Sequence, residues 1–240
     1  MIRTIIAIIR FWIYLVTRRG ELKIARRLEK EGKAEEYNEY VAARVRDWAR
    51  YVVALSGGTV TVSGEENIPR DRAVVFVGNH QSNLDIPILL GYVAKPKAFI
   101  AKIELLRVPF LSDWMKMMRC TFLDRKNMRQ SVRAMDEAVE NVKKGHSLVI
   151  FPEGTRSKSD EVAEFKQGSF KLALRSGAPI VPVTIDGSWH MLEEKGRFMR
   201  NVAVRVVVHP AIVTEGLAKE DTLALPERVR AIIAGGIAKK

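Results

Sequence analysis

The sequence predicts an α/β fold: a mixed, largely parallel sheet flanked by helices over residues 57–240, preceded by an N-terminal two-helix element at 1–56. Three observations carry that prediction. The continuous apolar runs AVVFVG at 73–78 and SLVIF at 147–151 have the length and composition of strands buried on both faces. Segments of helical period alternate with such runs, most clearly at 128–145. No linker divides residues 58–240, and 240 residues, 47% of them hydrophobic, suffice for one sizeable core.

The N-terminal element opens with MIRTIIAIIRFWIYLVTRRG, mostly apolar over residues 2–16 with Arg3 and Arg10 interrupting. A spanning helix needs roughly 20 apolar residues, so this run is too short and too charged. It is also a poor secretory signal, because no small-residue cleavage site follows it. Downstream, Tyr37, Val41, Val45, Trp48, Val52 and Leu55 recur at helical spacing, and Gly32 marks a break between two helices. Residues 1–55 hold twelve Lys and Arg against seven Asp and Glu. Such an apolar tip flanked by arginines suits an interfacial membrane helix; a helical hairpin packed on the main domain is the other reading. On the first, removing residues 1–50 is expected to release the chain from membranes.

The remaining elements follow in order. TVTVSG at 59–64 alternates as a strand does, AVVFVG is a buried strand, and KAFIAK at 97–102 is a third. A short helix is expected after Pro109, then the strand CTFLDR at 120–125. In the helix 128–145, Val132, Met135, Val139 and Val142 share a face and Gly145 stands at the stop position. After the strand SLVIF comes a helix at 165–177 ending at Gly177. PIVPVTI at 179–185 carries Pro182, which predicts an edge strand or a bulge. NVAVRVVV at 201–208 is a strand, and a closing helix over 226–237 has Pro226 in its first turn.

Composition narrows the partners. A formal net charge of +12 and a pI near 9.9 favour anions: nucleic acid, anionic lipid headgroups, phosphorylated substrates or an acidic carrier protein. There is neither an aromatic-and-basic RNA motif nor a recognition-helix signature, so no nucleic-acid partner is expected. The single cysteine, Cys120, allows no internal disulfide, fits a reducing compartment, and reads as a small buried residue at a strand start.

Chemistry gathers in loops beyond the predicted strand ends, where ligands bind in such folds. The first is NHQSNLD at 79–85, with His80 and Asp85 five positions apart. On one continuous helix those side chains would diverge by about 140°. They meet only if His80 lies on the loop leaving the strand and Asp85 in the first turn of the next helix. Ser82 and Asp85 also have helix-capping spacing, and Pro87 is tolerable only near a helix start. A capped polar loop and a base with its orienting carboxylate both fit. The second loop is FPEGTRS at 151–157. Gly154 permits a tight turn, Arg156 offers a planar fork suited to phosphate, and Glu153 accepts hydrogen bonds; a surface turn with a solvated arginine is the alternative. Basic residues at other strand ends form the third group: Lys102 beside Glu104, Arg125, and Lys166 near a helix start.

Taken together, these stretches resemble the ordered motifs of the glycerolipid acyltransferases. The carriers are NHxxxxD at 79–85, Lys102 and Glu104 with Pro109 downstream, FLDR at 122–125, FPEGTRS, FKxG at 165–168 and PIVPV at 179–183. The resemblance covers roughly residues 59–190 and is strongest to the bacterial 1-acylglycerol-3-phosphate acyltransferases. It implies a glycerol-3-phosphate acyltransferase-like sheet. It also implies transfer of a fatty acyl group from acyl-CoA or acyl carrier protein to the sn-2 hydroxyl of a lysophospholipid acceptor, making phosphatidic acid. In that family the chemistry is general-base catalysis, which assigns the base to His80 and its orienting partner to Asp85. Arg156 then holds the phosphate, with Gly154 and Thr155 shaping the turn, and Lys102 and Arg125 assist; Lys102 at the oxyanion is the other option. Glu153 either organises the turn or contacts the glycerol.

No G-x-S-x-G elbow occurs in the sequence. The acceptor would therefore supply the attacking hydroxyl, and no acyl-enzyme forms. No cofactor and no metal are expected, since His146, His190 and His209 stand isolated in the sequence. The anionic membrane surface is an expected partner, with the protein peripheral or monotopic on the cytoplasmic face of the cell membrane. Alternatives are an acyltransferase acting on glycerol-3-phosphate or another lysolipid and, from another class, a non-catalytic anionic-lipid-binding protein.

Overall fold

A computed structural model describes residues 2–124, 126–196 and 202–238. The chain opens with three helices, α1 (Ile2–Thr17), α2 (Arg19–Lys30) and α3 (Ala34–Ser56), where the sequence suggests two. Gly32 does separate α2 from α3, at φ 71°. The additional break falls at Arg18, whose φ −91° and ψ 6° bend the chain with no glycine or proline to announce it. Tyr37, Val41, Val45, Ala49 and Val53 of α3 are buried in the main hydrophobic core, as are Leu22, Ala25 and Leu28 of α2.

Seven strands follow: β1 (Gly58–Ser63), β2 (Val75–Gly78), β3 (Lys97–Lys102), β4 (Thr121–Leu123), β5 (Ser147–Ile150), β6 (Ile180–Asp186) and β7 (Val202–Val208). Between and after them lie α4 (Asp85–Tyr92), α5 (Leu111–Met117), α6 (Met128–Lys143), α7 (Gln167–Ser176) and α8 (Lys219–Gly235). They form one sheet in the order β1-β7-β6-β2-β5-β3-β4, parallel throughout except for β6 with β7. The four residues of β2 and the four of β5 are all buried, which explains their unbroken apolar sequences.

Two expectations are corrected and a third is decided between its alternatives. β6 is an interior strand, and Pro182 stands opposite a bulge: Ile180 pairs with Ile212 and Val183 with Val208, so two residues face three. The proline carbonyl accepts His209 N–H on the β7 side, where regular pairing covers only Val183–Asp186; the absent Pro182 N–H faces the irregular chain leaving β7. The buried face of α6 is Ala134, Ala138, Val139 and Val142, while Val132 is exposed, because small alanines allow the helix to lie close to its neighbours. The closing helix begins at Lys219, so Pro226 is inside it. Glu220 and Asp221 start α8 at its positive end, a signal that the proline masked.

Because β2, β3 and β5 are adjacent and parallel, their C-terminal ends share one rim. Val77 pairs with Ile150, so the segments leaving β2 and β5 emerge side by side. That register brings NHQSNLD and FPEGTRS together, with Lys102 at the end of β3.

Candidate active site

The loop leaving β2 is anchored from its first residue. The buried Asn79 side chain donates to Ile185 O and accepts Ile185 N–H, both at 2.8 Å, in place of a strand partner. His80 then sits at the mouth of the loop, and Asp85 is the first residue of α4, fully buried. Asp85 Oδ2 lies 2.7 Å from His80 Nδ1 and accepts the N–H groups of Gln81 and Ser82 at 2.7 and 2.8 Å. Its other oxygen accepts the Ser188 hydroxyl. The carboxylate also stands at a helix N-terminus, where negative charge is favoured.

The His–Asp pair forms, but the predicted Ser82 cap does not: Leu84 is the N-cap residue of α4 and no side chain caps the helix. Ser82 Oγ accepts Leu84 N–H rather than Asp85 N–H, and α4 starts only at Asp85. Pro87, in the first turn, needs no intrahelical donor.

A carboxylate facing Nδ1 accepts, so Nδ1 carries the ring proton and the lone pair falls on Nε2. Nε2 has no protein partner among the described residues. Phe151 stacks on the imidazole at 4.2 Å between centroids and 13° between planes, which fixes the ring orientation.

The segment leaving β5 clasps the same loop. Glu153 is buried; its carboxylate accepts His80 N–H at 2.7 Å and Ala163 N–H at 3.3 Å. Burial raises its pKa above the ordinary range, and the two N–H bonds work against that rise. Ser157 N–H donates to His80 O at 2.8 Å. Gly154 turns at φ 74°, with Lys166 Nζ 2.7 Å from where a Cβ would stand. Each Glu153 carboxylate oxygen thus accepts one backbone N–H.

Arg156 donates to Glu193 Oε1 at 2.9 Å. Glu193, in the segment after β6, is nearly buried and also accepts the Ser82 hydroxyl at 2.6 Å and Asn83 N–H at 2.9 Å. Sequence reading missed this residue. GSWHMLEEKG holds no spacing that points to a site, and only the fold brings it across to both motif loops. Gln81 was likewise unremarked; its buried carbonyl accepts Gly187 N–H and Ser188 N–H at 3.0 and 3.2 Å.

His80, Lys102, Gly154, Thr155, Arg156 and Lys166 line one cavity of about 880 Å³. Apolar side chains line much of it, among them Phe99, Trp114, Met115, Met118 and Cys120, with Phe11 and Trp48 from the N-terminal helices. Burial pushes the Cys120 thiol up to about 12, which disfavours the thiolate. Arg125 lies outside the described residues. Among the described residues no group of three or more His, Cys, Asp or Glu side chains is placed to hold a metal ion. His190 Nδ1 meets Glu194 at 2.8 Å and His209 Nε2 meets Thr184 at 2.8 Å, while His146 is away from both. The arrangement offers a hydrogen-bond-accepting imidazole nitrogen, nearby cations and an apolar lining, the parts that proton abstraction beside an anion and a hydrocarbon chain requires.

The chain is similar to a "Probable 1-acyl-sn-glycerol-3-phosphate acyltransferase" of Mycoplasma pneumoniae, 41% identical over 151 residues, which cover 61% of this chain and 56% of that protein. The "1-acyl-sn-glycerol-3-phosphate acyltransferase" of Borreliella burgdorferi is 34% identical over 186 residues, 78% of this chain and 73% of that one. Among solved structures, the 1-acyl-sn-glycerophosphate (LPA) acyltransferase PlsC from Thermotoga maritima superposes with a TM-score of 0.84 at 32% identity, covering 98% of this chain and 95% of that one. The family model described as "Acyltransferase" matches residues 59–186, a span holding the His80–Asp85 pair, both motif loops and six of the seven strands. This chain belongs to the Acyltransferase family.

Proposed function

We propose that this protein transfers a fatty acyl group from an acyl thioester to the sn-2 hydroxyl of 1-acylglycerol-3-phosphate, making phosphatidic acid, with His80 as general base and no acyl-enzyme. The carrying observation is the 2.7 Å contact of His80 Nδ1 with Asp85 on the wall of a cavity lined by cations, Lys102 and Arg156 among them, and by many apolar side chains. A hydroxyl is a weak nucleophile until its proton is accepted as the bond forms. In the proposed step His80 Nε2 takes that proton while the acceptor oxygen attacks the thioester carbonyl carbon. The tetrahedral intermediate then collapses, the carbon–sulfur bond breaks, and the imidazolium returns its proton to the thiolate. Asp85 holds the tautomer and stabilises the imidazolium.

Arg156 receives the acceptor phosphate, its second guanidinium edge remaining for the ligand while Glu193 holds the first. Lys102 assists at the phosphate or at the oxyanion. Gly154 and Thr155 shape the turn, and Glu153 acts through the backbone of His80. The chemistry asks for no cofactor and no metal; acyl-CoA or acyl carrier protein enters as co-substrate. No helix among the described residues is long and apolar enough to cross a membrane. Ile5, Ile6, Ile9 and Ile13 of α1 are each about half exposed, at 55, 49, 53 and 55%. That face supports peripheral attachment to an anionic lipid surface, with α1 lying at the headgroup layer.

The test is thioester cleavage by purified protein in detergent, with two acceptors (lysophosphatidic acid and glycerol-3-phosphate) crossed against two donors. Cleavage is expected to depend on lysophosphatidic acid. His80→Ala is expected to lower it by about 10³-fold or more while lipid binding persists. Cleavage indifferent to acceptor, or untouched by His80→Ala, rules the proposal out.

A further inference from the structure

A second cavity, of about 370 Å³, opens at the opposite rim of the sheet. Its walls come from residues that enter β3 and β5 rather than leave them. Lys95 and Lys97 precede or begin β3, and His146 precedes β5. Arg46 of α3, Arg70 from the loop before β2 and Arg119 from the turn after α5 complete the charged lining. These six are all basic, and no Asp or Glu lines the cavity.

Three of the charges have no counter-charge in contact: among the described residues, the Arg46, Arg70 and Arg119 guanidinium groups make neither ion pair nor hydrogen bond. Lys95 Nζ is held on Pro69 O at 2.7 Å, which fixes its ammonium, while the buried Lys97 amine, its pKa lowered to about 7, is held on Leu89 O and Val93 O at 3.1 and 2.7 Å. The nearby acids act only through space: Glu65, which accepts Ala94 N–H, and Asp71, which pairs with Arg72, favour the charged forms of Lys97 and Lys95 without forming an ion pair with them. Like charges oppose one another across the site. Besides burial, which acts most strongly, Arg119 and Lys144 lower the His146 pKa. Bringing several cations together without a counter-charge opposes folding. An anion removes that repulsion. A phosphate, with about two negative charges and three strong acceptor oxygens, answers several cations at once, and guanidinium forks match its geometry.

We infer that the cavity whose cations are Arg46, Arg70, Lys95 and Arg119, with Lys97 and His146 in its wall, is a second anion site that binds the phosphate group of a small ligand. It is separate from the proposed acyl-transfer site, since His80, Lys102 and Arg156 line only the larger cavity. The two cavities share Val45, Leu90 and Met118 as a common wall. Both a soluble phosphate and a lipid phosphate headgroup present the required chemistry.

Direct binding of radiolabelled orthophosphate and of monomeric dihexanoyl phosphatidic acid, by equilibrium dialysis of the full chain in neutral detergent at constant ionic strength, tests this. An Arg156→Ala/Lys102→Ala background removes the two cations proposed to meet the phosphate in the larger cavity. There, one saturable site is expected, and adding Arg46→Ala/Arg119→Ala should weaken it by about tenfold or more. Arg46 and Arg119 are exposed and unpaired, so circular dichroism and melting temperature of the fourfold variant should match those of the Arg156→Ala/Lys102→Ala background. Tighter uptake of the lipid identifies a headgroup site, and equal or tighter uptake of orthophosphate a soluble-phosphate site. Absence of saturable uptake of either ligand in the background, or uptake indifferent to Arg46→Ala/Arg119→Ala, overturns the inference.

Discussion

Glu193 joins three parts of the site with one carboxylate: Arg156, the Ser82 hydroxyl and the Asn83 amide. It acts through other residues, so it is a positioning residue. Its loss frees the Arg156 guanidinium and loosens the loop that carries His80. Glu193→Ala is expected to lower kcat/KM by about 10²-fold, the scale of a 1 Å misplacement. The loss should fall mainly on KM for the acceptor, with KM for the donor little changed. Glu193→Gln, which keeps an acceptor for Asn83 N–H, should recover part of it. A variant with unaltered acceptor KM excludes the role. At this scale the sequence was most informative about His80, Asp85 and Glu153. Their value lies in short spacings next to strands, and such spacings survive translation into a loop and a first helical turn. Glu193 and Ser188 were illegible because each reaches Asp85 or Arg156 across the sheet, with no local pattern to mark it.

Among the elements, α1 differs from α2 and α3. Its isoleucines face outward, whereas Leu22 and Ala25 of α2 and Ala49 and Val53 of α3 are buried in the core. Removing residues 1–50 would therefore take most of a core helix with it, and release from membranes would then report unfolding. Charge on the exposed face is the cleaner experiment. Ile5→Asp/Ile9→Asp is expected to weaken co-sedimentation with anionic vesicles by about tenfold or more, from the loss of roughly 1.5–3 kcal/mol of burial per isoleucine. Turnover of a short-chain, water-soluble acceptor should persist. Pelleting equal to that of the unmodified chain would remove α1 from the membrane contact. Element boundaries were legible where punctuation is strong: KAFIAK, behind Pro96, is β3 to the residue, and Gly177 at φ 70° closes α7. They failed at α8, where Pro226 was read as a start although the helix absorbs it, and at Arg18, where nothing marks the bend.

For the molecule as a whole, Lys97 links stability to pH. Burial, resisted by Glu65 and helped by Arg46, lowers its pKa from 10.5 to about 7. Between about pH 7 and 10.5 the unfolded chain therefore binds a proton at this position that the folded chain does not, so this residue's contribution to stability rises with pH across that window. Urea midpoints measured from pH 7 to pH 10 should show the unmodified protein gaining on Lys97→Met as pH rises. Parallel curves would show that the amine does not titrate in that range.

Taken by itself, the sequence determined the fold class, most of the strands and the chemical content of two loops. Apolar runs of strand length and polar clusters at their ends are local properties that each segment carries wherever it lies. Only the tertiary structure decided the rest. The pairing of β2 with β5 put His80 beside FPEGTRS, and the reversal of β7 against β6 let Pro182 occupy an interior strand. Folding also carried Glu193 to Arg156 and gathered Arg46, Arg70 and Arg119 at one rim. Those outcomes depend on strand order and on contacts between residues far apart in the chain, and no single stretch of residues contains that information.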